Sequence, residues 1–170
     1  MEFQNLPDPA RLTWLVGPPG AGKTTFAHTA SHGFSRVVEL PEMLSSLIDP
    51  PGIVRGVLQA NSALVEMIRR LEFHPDNLQH APLLVVAGLI PEASCLPILP
   101  NEAVWLLRPP RERWRKQLYN RPTDDPTNSQ YTDYDYAESW YDRFDAWEER
   151  ADVIAISTRF DPGKIGVVYF

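Results

Sequence analysis

The chain has 170 residues, of which 44% are apolar, and its 16 basic and 22 acidic side chains give a net charge of −6. This length supports one hydrophobic core, so we expect a single domain over residues 1–170. The acidic balance argues against binding along extended nucleic acid, and no apolar run reaches the roughly 20 residues of a membrane-spanning helix. Because Cys95 is the single cysteine and the N-terminus lacks a signal pattern, we expect a cytoplasmic protein without an internal disulfide.

The first predicted elements are a strand, a glycine-rich loop and a helix. Residues 12–16 are apolar enough for a buried strand, and residues 17–24, GPPGAGKT, satisfy every fixed position of the motif G-x-x-x-x-G-K-S/T. A helix over about 24–31 follows and ends near Gly33. Strand, loop and helix in this order are the context that the motif requires.

This loop predicts a phosphate-binding site. Glycines at its fixed positions let consecutive backbone N–H groups approach an anion. Lys23 is placed to reach the β- and γ-phosphates and the Thr24 hydroxyl to hold Mg²⁺, whereas Thr25 faces the helix or the α-phosphate. The residues predicted to bind a nucleoside triphosphate are Gly17, Pro18, Pro19, Gly20, Ala21, Gly22, Lys23, Thr24 and Thr25.

The remaining predicted elements alternate between strands and helices. Strands are predicted at 36–40, 82–87, 104–107 and 152–156, and helices at 53–71, 111–120 and 133–150. Prolines at 91, 97 and 100 predict an irregular segment over 91–102. The last helix carries aromatic side chains that we expect in the core, namely Tyr136, Trp140, Phe144 and Trp147. This alternation predicts an α/β fold with a parallel sheet and helices on both faces. The apolar C-terminal residues pack on the sheet edge or pair with another chain, so the oligomeric state stays open.

Acidic residues near the ends of the strands are candidates for a metal or substrate role. Many ATPases place a Mg²⁺-orienting aspartate at the end of a central apolar strand, where this chain has Ala87 or Gly88. Glu42, just past the second strand, is the first candidate for accepting a proton from a substrate hydroxyl, although it could instead cap a helix. Glu39 is the second candidate for accepting this proton, and either residue could instead orient Mg²⁺ through water. Glu92 could also act on the metal through water.

A basic run follows the fourth predicted strand in this otherwise acidic chain. Helical spacing puts Arg111 and Arg115 on one face, and Arg121 begins a polar loop at 121–132. A guanidinium on a helix that feeds a mobile loop can swing toward a transferring phosphoryl group. The alternative is a solvated face partly paired with Glu112. We expect at least one of the three arginines to act on phosphate, without the sequence deciding which.

Three segments resemble the P-loop small-molecule kinases, the group that contains shikimate, gluconate, adenylate and zeta-toxin-like kinases. They are GPPGAGKTT at 17–25, VVELPEML at 37–44 and VWLLRPPRERWRKQLYNRP at 104–122. The resemblance covers roughly residues 11–158. It implies a P-loop NTPase fold with a five-stranded parallel sheet of order 2-3-1-4-5, ATP and Mg²⁺ as cofactors, and a mobile lid over about 108–132.

The resemblance also implies roles for single residues. Glu42 stands where many of these kinases have an aspartate that activates the acceptor hydroxyl, and Arg159 lies in a segment similar to the one beside adenine. Arg115 and Arg121 resemble the arginines that flank the lid, and Arg111 is a further predicted contact to the nucleotide. The chain is therefore predicted to be a kinase that phosphorylates a hydroxyl of a small molecule or nucleotide. The alternative is an ATPase or regulatory module whose only acceptor is water.

Overall fold

Five short segments form the strands of one sheet in the computed structural model, which describes residues 8–29, 33–39, 65–66, 68–70, 81–87, 98–120, 138, 141–150 and 152–156. The strands are β1 (Leu12–Val16), β2 (Arg36–Glu39), β3 (Leu83–Val86), β4 (Glu102–Leu107) and β5 (Val153–Ile156). The helices are α1 (Lys23–Thr29), α2 (Arg111–Tyr119) and α3 (Asp145–Glu148). Residues 65–66 and 68–70 are also helical.

All strand pairs of the sheet are parallel, and the strand order is β2-β3-β1-β4-β5. The central strand β1 lies between β3 and β4, with Leu12 opposite both Leu83 and Glu102. Because parallel strands point the same way, their carboxyl ends share one edge, and the glycine-rich loop leaves β1 at that edge. The predicted order 2-3-1-4-5 is therefore confirmed.

Alternate side chains of the strands enter two separate cores, one on each face of the sheet. On one face, Trp14 of β1 and its neighbours pack with Val65, Ile68, Phe144 and Trp147. On the other face, the strands pack against Phe26 and Ala27 of α1, with Trp105 of β4 at the centre. Strands buried on both sides are expected for a parallel sheet. The prediction of helices on both faces is confirmed, as is a core position for Phe144 and Trp147.

The fourth strand begins earlier than the sequence predicts. β4 starts at Glu102, because Glu102 and Ala103 pair with the first residues of β1. The turn before the strand is made by Asn101, whose φ is 68°. Asparagine tolerates this left-handed conformation better than most residues, which lets the chain enter the sheet two residues before the apolar run at 104–107.

The predicted helix over 133–150 is not continuous within the described residues. Residue 138 and residues 141–143 are helical, but a turn at Phe144 separates them from α3. The N–H groups of Phe144 and Trp147 donate to carbonyls three residues earlier, as in a tighter 3₁₀ turn. This local tightening occurs where Phe144 and Trp147 are both fully buried.

Some predicted segments fall wholly or mostly outside the described residues. They are the helix at 53–71 apart from 65–66 and 68–70, residues 91–97 of the irregular segment, the loop at 121–132, residues 133–137 and 139–140 of the aromatic helix with Tyr136 and Trp140, and the residues after 156. Among the helices that are described, none is long and apolar enough to cross a membrane.

Candidate functional site

The glycine-rich loop wraps around the ammonium group of its own lysine. Lys23 Nζ donates to the carbonyl oxygens of Gly17 and Pro18, both at 2.8 Å. The loop is closed by Ala21 N–H donating to Pro18 O at 3.1 Å, and α1 begins with Phe26 N–H donating to Gly22 O at 2.8 Å. Lys23 is only 9% exposed, so a positive charge lies inside the loop rather than on the protein surface.

Two glycines of the loop are required by close neighbours. A Cβ on Gly17 would lie 2.1 Å from the carbonyl oxygen of Leu107, the last residue of β4. Gly20 has a φ of +75°, and a Cβ there would lie 3.1 Å from Leu118 Cδ1 on α2. The first contact leaves no room for any side chain, and the second adds crowding to a backbone conformation that favours glycine. The loop is thus held between the end of β4 and one face of α2.

The end of β2 brings Glu39 against α1. Thr24 Oγ1 donates to Glu39 Oε2 at 3.0 Å, and Glu39 Oε1 lies 3.2 Å from His28 Nε2. The Glu39 side chain is 13% exposed, whereas Thr24 and His28 are exposed, so both contacts lie at the protein surface. The sequence identified Thr24 and Glu39 separately, whereas His28 was missed; its spacing of one helical turn from Thr24 is the signal that could have found it.

The oxygens at this position suit a magnesium ion. A hydroxyl and a carboxylate are the hard oxygen donors that Mg²⁺ uses in proteins, together with water and phosphate oxygens. Thr24 and Glu39 therefore fit the predicted metal on the chemistry of their donor atoms. In the part of the chain that the structure describes, no group of three or more His, Cys, Asp or Glu side chains is arranged to hold a metal ion.

Two of the predicted phosphate-binding arginines pair with one carboxylate. Arg111 Nη1 and Arg115 Nη2 donate to Glu138 Oε2 at 2.9 and 3.1 Å, and Arg115 Nε also contacts Glu138 Oε1. Arg111 additionally contacts Asp142. The hydrogen bond from Arg115, reinforced by the charges of both arginines, lowers the pKa of Glu138, and the same bond raises the pKa of Arg115. The predicted shared face of the two arginines is present, with Glu138 as its acidic partner.

The first half of the predicted lid segment is anchored to the body of the protein. Arg108 Nη2 donates to the carbonyl of Tyr141 at 3.1 Å, and Arg108 Nη1 lies 3.2 Å from Glu148 Oε1. The Tyr141 hydroxyl donates to the carbonyl of Pro109 at 2.7 Å, and burial raises the pKa of this tyrosine against the opposing charge of Arg108. Residues 108–120 are thus fixed at several points, and the predicted loop at 121–132 lies outside the described residues.

The end of β3 carries no acid. Ala87 follows the strand, is fully buried, and donates its N–H to the carbonyl of Leu15 at 2.8 Å. This is the position beside the loop at which many ATPases have an aspartate. Other predicted site residues lie outside the described part of the chain and stay predictions: Glu42, Glu92, Arg121 and Arg159.

The sheet order and the loop after the central strand define an α/β fold consistent with a P-loop NTPase. No protein-family model matches the sequence, and a search of curated proteins finds no match. Among solved structures, the chain is similar to an unliganded sugar kinase from Janibacter sp. HTCC2649, at 15% sequence identity and a TM-score of 0.48. The match covers 91% of this chain and 88% of that chain. This degree of similarity bears on neither activity nor substrate.

Proposed function

We propose that the chain is a kinase that binds ATP with Mg²⁺ at residues 17–24 and transfers the γ-phosphoryl group to a hydroxyl of a small molecule or nucleotide. One observation supports this most strongly. The hydroxyl of Thr24, within a complete G-x-x-x-x-G-K-T loop, lies 3.0 Å from the carboxylate of Glu39 at the carboxyl end of β2. Ligands of open parallel sheets bind at this edge, so the two groups are where a metal–nucleotide complex would lie.

Lys23 supplies positive charge to the phosphates. Its ammonium group is enclosed by the loop, 2.8 Å from each of two loop carbonyls. A cation in a place of low solvent exposure interacts more strongly with phosphate oxygens than one on the surface. Lys23 therefore draws the β- and γ-phosphates into the loop and stabilises the charge that develops as the phosphoryl group moves.

Thr24 and Glu39 hold the metal, Thr24 directly and Glu39 through water. When bound, Mg²⁺ neutralises charge on the β- and γ-phosphates and aligns them for attack. Glu42, predicted just beyond β2, would accept the proton from the acceptor hydroxyl. In this proposal one residue accepts the proton, and others hold the metal that binds the phosphates.

The arginines act on the phosphates by exchanging partners. Arg111 and Arg115 donate to the carboxylate of Glu138, and a phosphate oxygen offers these guanidinium groups the same kind of acceptor. In the proposed reaction at least one of Arg111, Arg115 and Arg121 leaves its resting contacts and donates to the transferring group. Arg159 is proposed to lie beside adenine.

Transfer of label from γ-labelled ATP tests this function. The protein is incubated with labelled ATP and Mg²⁺, with and without a pooled set of hydroxyl metabolites and oligonucleotides. We expect label on one member of the pool, and we expect Lys23→Ala to lower that rate by at least about a hundredfold, because the loss of one charge-stabilising group costs this much in other enzymes. Lys116→Ala removes a lysine from the exposed side of α2 and is the matched control.

The destination of the label distinguishes the two candidate functions. Label that appears only as free phosphate, at a rate that no acceptor changes, would favour an ATPase or regulatory module instead of a kinase. The buried Ala87 at the end of β3, in place of the usual acid, argues against that alternative. Equal transfer by the wild type and Lys23→Ala would contradict the proposed role of the loop.

A further inference from the structure

A buried hydrogen bond joins the glycine-rich loop to α2. The indole Nε1 of Trp114 donates to the carbonyl oxygen of Pro19 at 2.6 Å, across 95 residues of sequence. Trp114 is fully buried and Pro19 is buried as well. A buried carbonyl needs a donor, and neither Pro18 nor Pro19 has an N–H to offer to its neighbours. The carbonyl of Pro18 accepts from within the loop, whereas that of Pro19 accepts from α2.

A second contact on the same face of α2 reaches the next residue of the loop. Leu118, one helical turn beyond Trp114, packs so closely on Gly20 that a Cβ there would lie 3.1 Å from Leu118 Cδ1. Residues four apart lie above one another on a helix, so one face of α2 contacts two consecutive loop residues. The turn at Pro19 and Gly20, where φ reaches +75°, is therefore supported from outside the loop.

Trp114 also contacts Tyr141, the aromatic ring on which two arginines lie. Its ring packs on Tyr141 with centroids 4.8 Å apart, and Tyr141, Trp114 and Leu118 form one small buried cluster. The guanidinium groups of Arg108 and Arg111 lie 4.3 and 4.8 Å from the centre of the Tyr141 ring. Trp114 thus lies between the loop and two arginines, and it contacts the loop by hydrogen bond and the arginines through one aromatic ring.

We propose that Trp114 is a positioning residue for the phosphate-binding loop and couples that loop to the arginines at the start of α2. This inference rests on the proposed function, because it assigns the loop to a nucleotide. The indole N–H fixes the carbonyl of Pro19 and with it the conformation of the Pro19–Gly20 turn. A change of the turn on nucleotide binding moves the Trp114 ring, which moves Tyr141 and the guanidinium groups stacked on it.

Replacement by phenylalanine separates the hydrogen bond from the ring. Trp114→Phe keeps an aromatic side chain but removes the donor, and Trp105→Phe is the matched control. Trp105 is 1% exposed, and its Nε1 has no hydrogen-bond partner within the described residues, so its replacement removes comparable ring area and no bond. We expect Trp114→Phe to weaken binding of a fluorescent ATP analogue by about tenfold, because an unpaired buried carbonyl remains at Pro19.

The effect on the loop is separable from an effect on folding. Thermal unfolding of both variants measures the general cost of replacing a buried tryptophan. We expect similar decreases in melting temperature, but a much larger loss of affinity for the ATP analogue in Trp114→Phe than in Trp105→Phe. Equal affinities of the two variants would overturn the proposal. Wild-type protein that binds no ATP analogue would instead overturn the proposed function.

A measurement on the wild type does not depend on any variant folding. The five tryptophans of the chain give separate indole N–H resonances in a ¹H–¹⁵N spectrum, and that of Trp114 is assigned from its contact with Pro19. We expect ADP to shift the Trp114 resonance and to leave that of Trp14, whose Nε1 donates to Glu102 at the start of β4, in place. A Trp114 resonance that stays fixed while ADP binds would show a merely structural bond and overturn the coupling.

Discussion

Glu39 contacts two residues of α1 within the described part of the chain. One carboxylate oxygen accepts from Thr24 at 3.0 Å, and the other lies 3.2 Å from the imidazole of His28. A carboxylate bound at both oxygens has little freedom to rotate, so it presents a fixed edge to a ligand beside Thr24. Second partners of this kind orient metal-binding groups in many sites and affect metal affinity strongly. Glu39 therefore links β2 to α1, and in the proposed metal site its carboxylate would be held in one orientation.

Glu39→Gln should weaken the binding of Mn²⁺, used as a paramagnetic substitute for Mg²⁺, to the protein–ADP complex. We expect a loss of about tenfold, since the amide cannot accept and orient water as a charged carboxylate does. The measurement is the concentration of free Mn²⁺ by electron paramagnetic resonance. Glu66→Gln is the control, because Glu66 is 60% exposed and pairs with Arg69 on the opposite face of the sheet. Unchanged Mn²⁺ affinity in Glu39→Gln would remove Glu39 from the metal site.

The loop itself was predictable from sequence, and the carboxylate partner only in part. Seven consecutive residues after Gly17 satisfy a pattern whose geometry is nearly invariant, so Lys23 and Thr24 could be placed at the end of the loop without coordinates, and their roles toward a nucleotide stay predictions. Glu39 lies in a strand whose two faces are both covered, and alternation then does not decide which way a side chain points. Its contact with Thr24 depends on how α1 crosses the sheet, which is a tertiary property.

At the scale of elements, α2 is held by opposite kinds of contact on its two faces. Trp114 and Leu118 are buried, whereas Arg111 and Arg115 form ion pairs with Glu138 at the surface. Pro110 precedes the first residue of the helix, and its side chain makes no capping hydrogen bond. A helix this short is not stable alone, so its position depends on both sets of contacts.

The ion pairs of α2 should give the protein a pH-dependent stability. The pKa of Glu138 is lowered in the folded state, chiefly by its hydrogen bond with Arg115. Its contribution is therefore complete above the ordinary glutamate pKa of the unfolded chain and is lost as the pH falls through the lowered value. We expect Glu138→Gln to melt below the wild type at neutral pH and the two melting temperatures to converge in acid.

The comparison requires a control on the same helix. Glu112→Gln changes an exposed carboxylate on the same helix. Its melting temperature should stay close to that of the wild type at both neutral and acid pH. Because Arg115 is 44% and Glu138 22% exposed, added salt should also shrink the gap at neutral pH. A gap between Glu138→Gln and the wild type that is the same at every pH would mean that the carboxylate charge does not stabilise α2.

Helical spacing placed Arg111 and Arg115 together, but sequence could not supply their partner. Glu138 lies 23 residues beyond Arg115, and the intervening residues include a polar segment whose path has no local signal. The turn at Phe144 was missed for a related reason. The aromatic spacing from 136 to 147 fits one continuous helix. In the structure, the backbone at Phe144 and Trp147, which are both buried, forms hydrogen bonds to residues three rather than four positions earlier.

At the scale of the whole molecule, strand order followed from the resemblance together with the regular alternation of elements. Alternation of strands and helices alone predicts a parallel sheet. The glycine-rich loop after the first strand further predicts that this strand is central, with its carboxyl end at the edge where ligands of such sheets bind. The polar interactions between elements had no comparable signal. Glu102 fell in a segment predicted to be irregular, yet its side chain is 1% exposed and pairs with Arg69 beneath the sheet.

The pair of Arg69 and Glu102 provides a test of whether stability and nucleotide binding are separable. Arg69 Nε and Nη2 donate to the two Glu102 oxygens at 2.9 and 3.1 Å, and Glu102 Oε2 also accepts from Trp14 Nε1 at 3.2 Å. Glu102→Gln should lower the free energy of unfolding by about 1.5–3 kcal/mol, because the amide carries no charge and cannot accept both guanidinium hydrogen bonds, while Glu66 still pairs with Arg69. Urea unfolding measures this loss.

The same variant should bind the fluorescent ATP analogue as the wild type does. Glu102 begins β4, and Leu107, which contacts the loop at Gly17, ends it, so the two lie about 16 Å apart at opposite edges of the sheet. The double variant Arg69→Met/Glu102→Gln should recover part of the stability, since it removes both charges of the pair and keeps an acceptor for Trp14 Nε1. Weakened nucleotide binding in the folded double variant would mean that the buried pair shapes the loop through β4, and that support for the site extends through the sheet rather than only through α2.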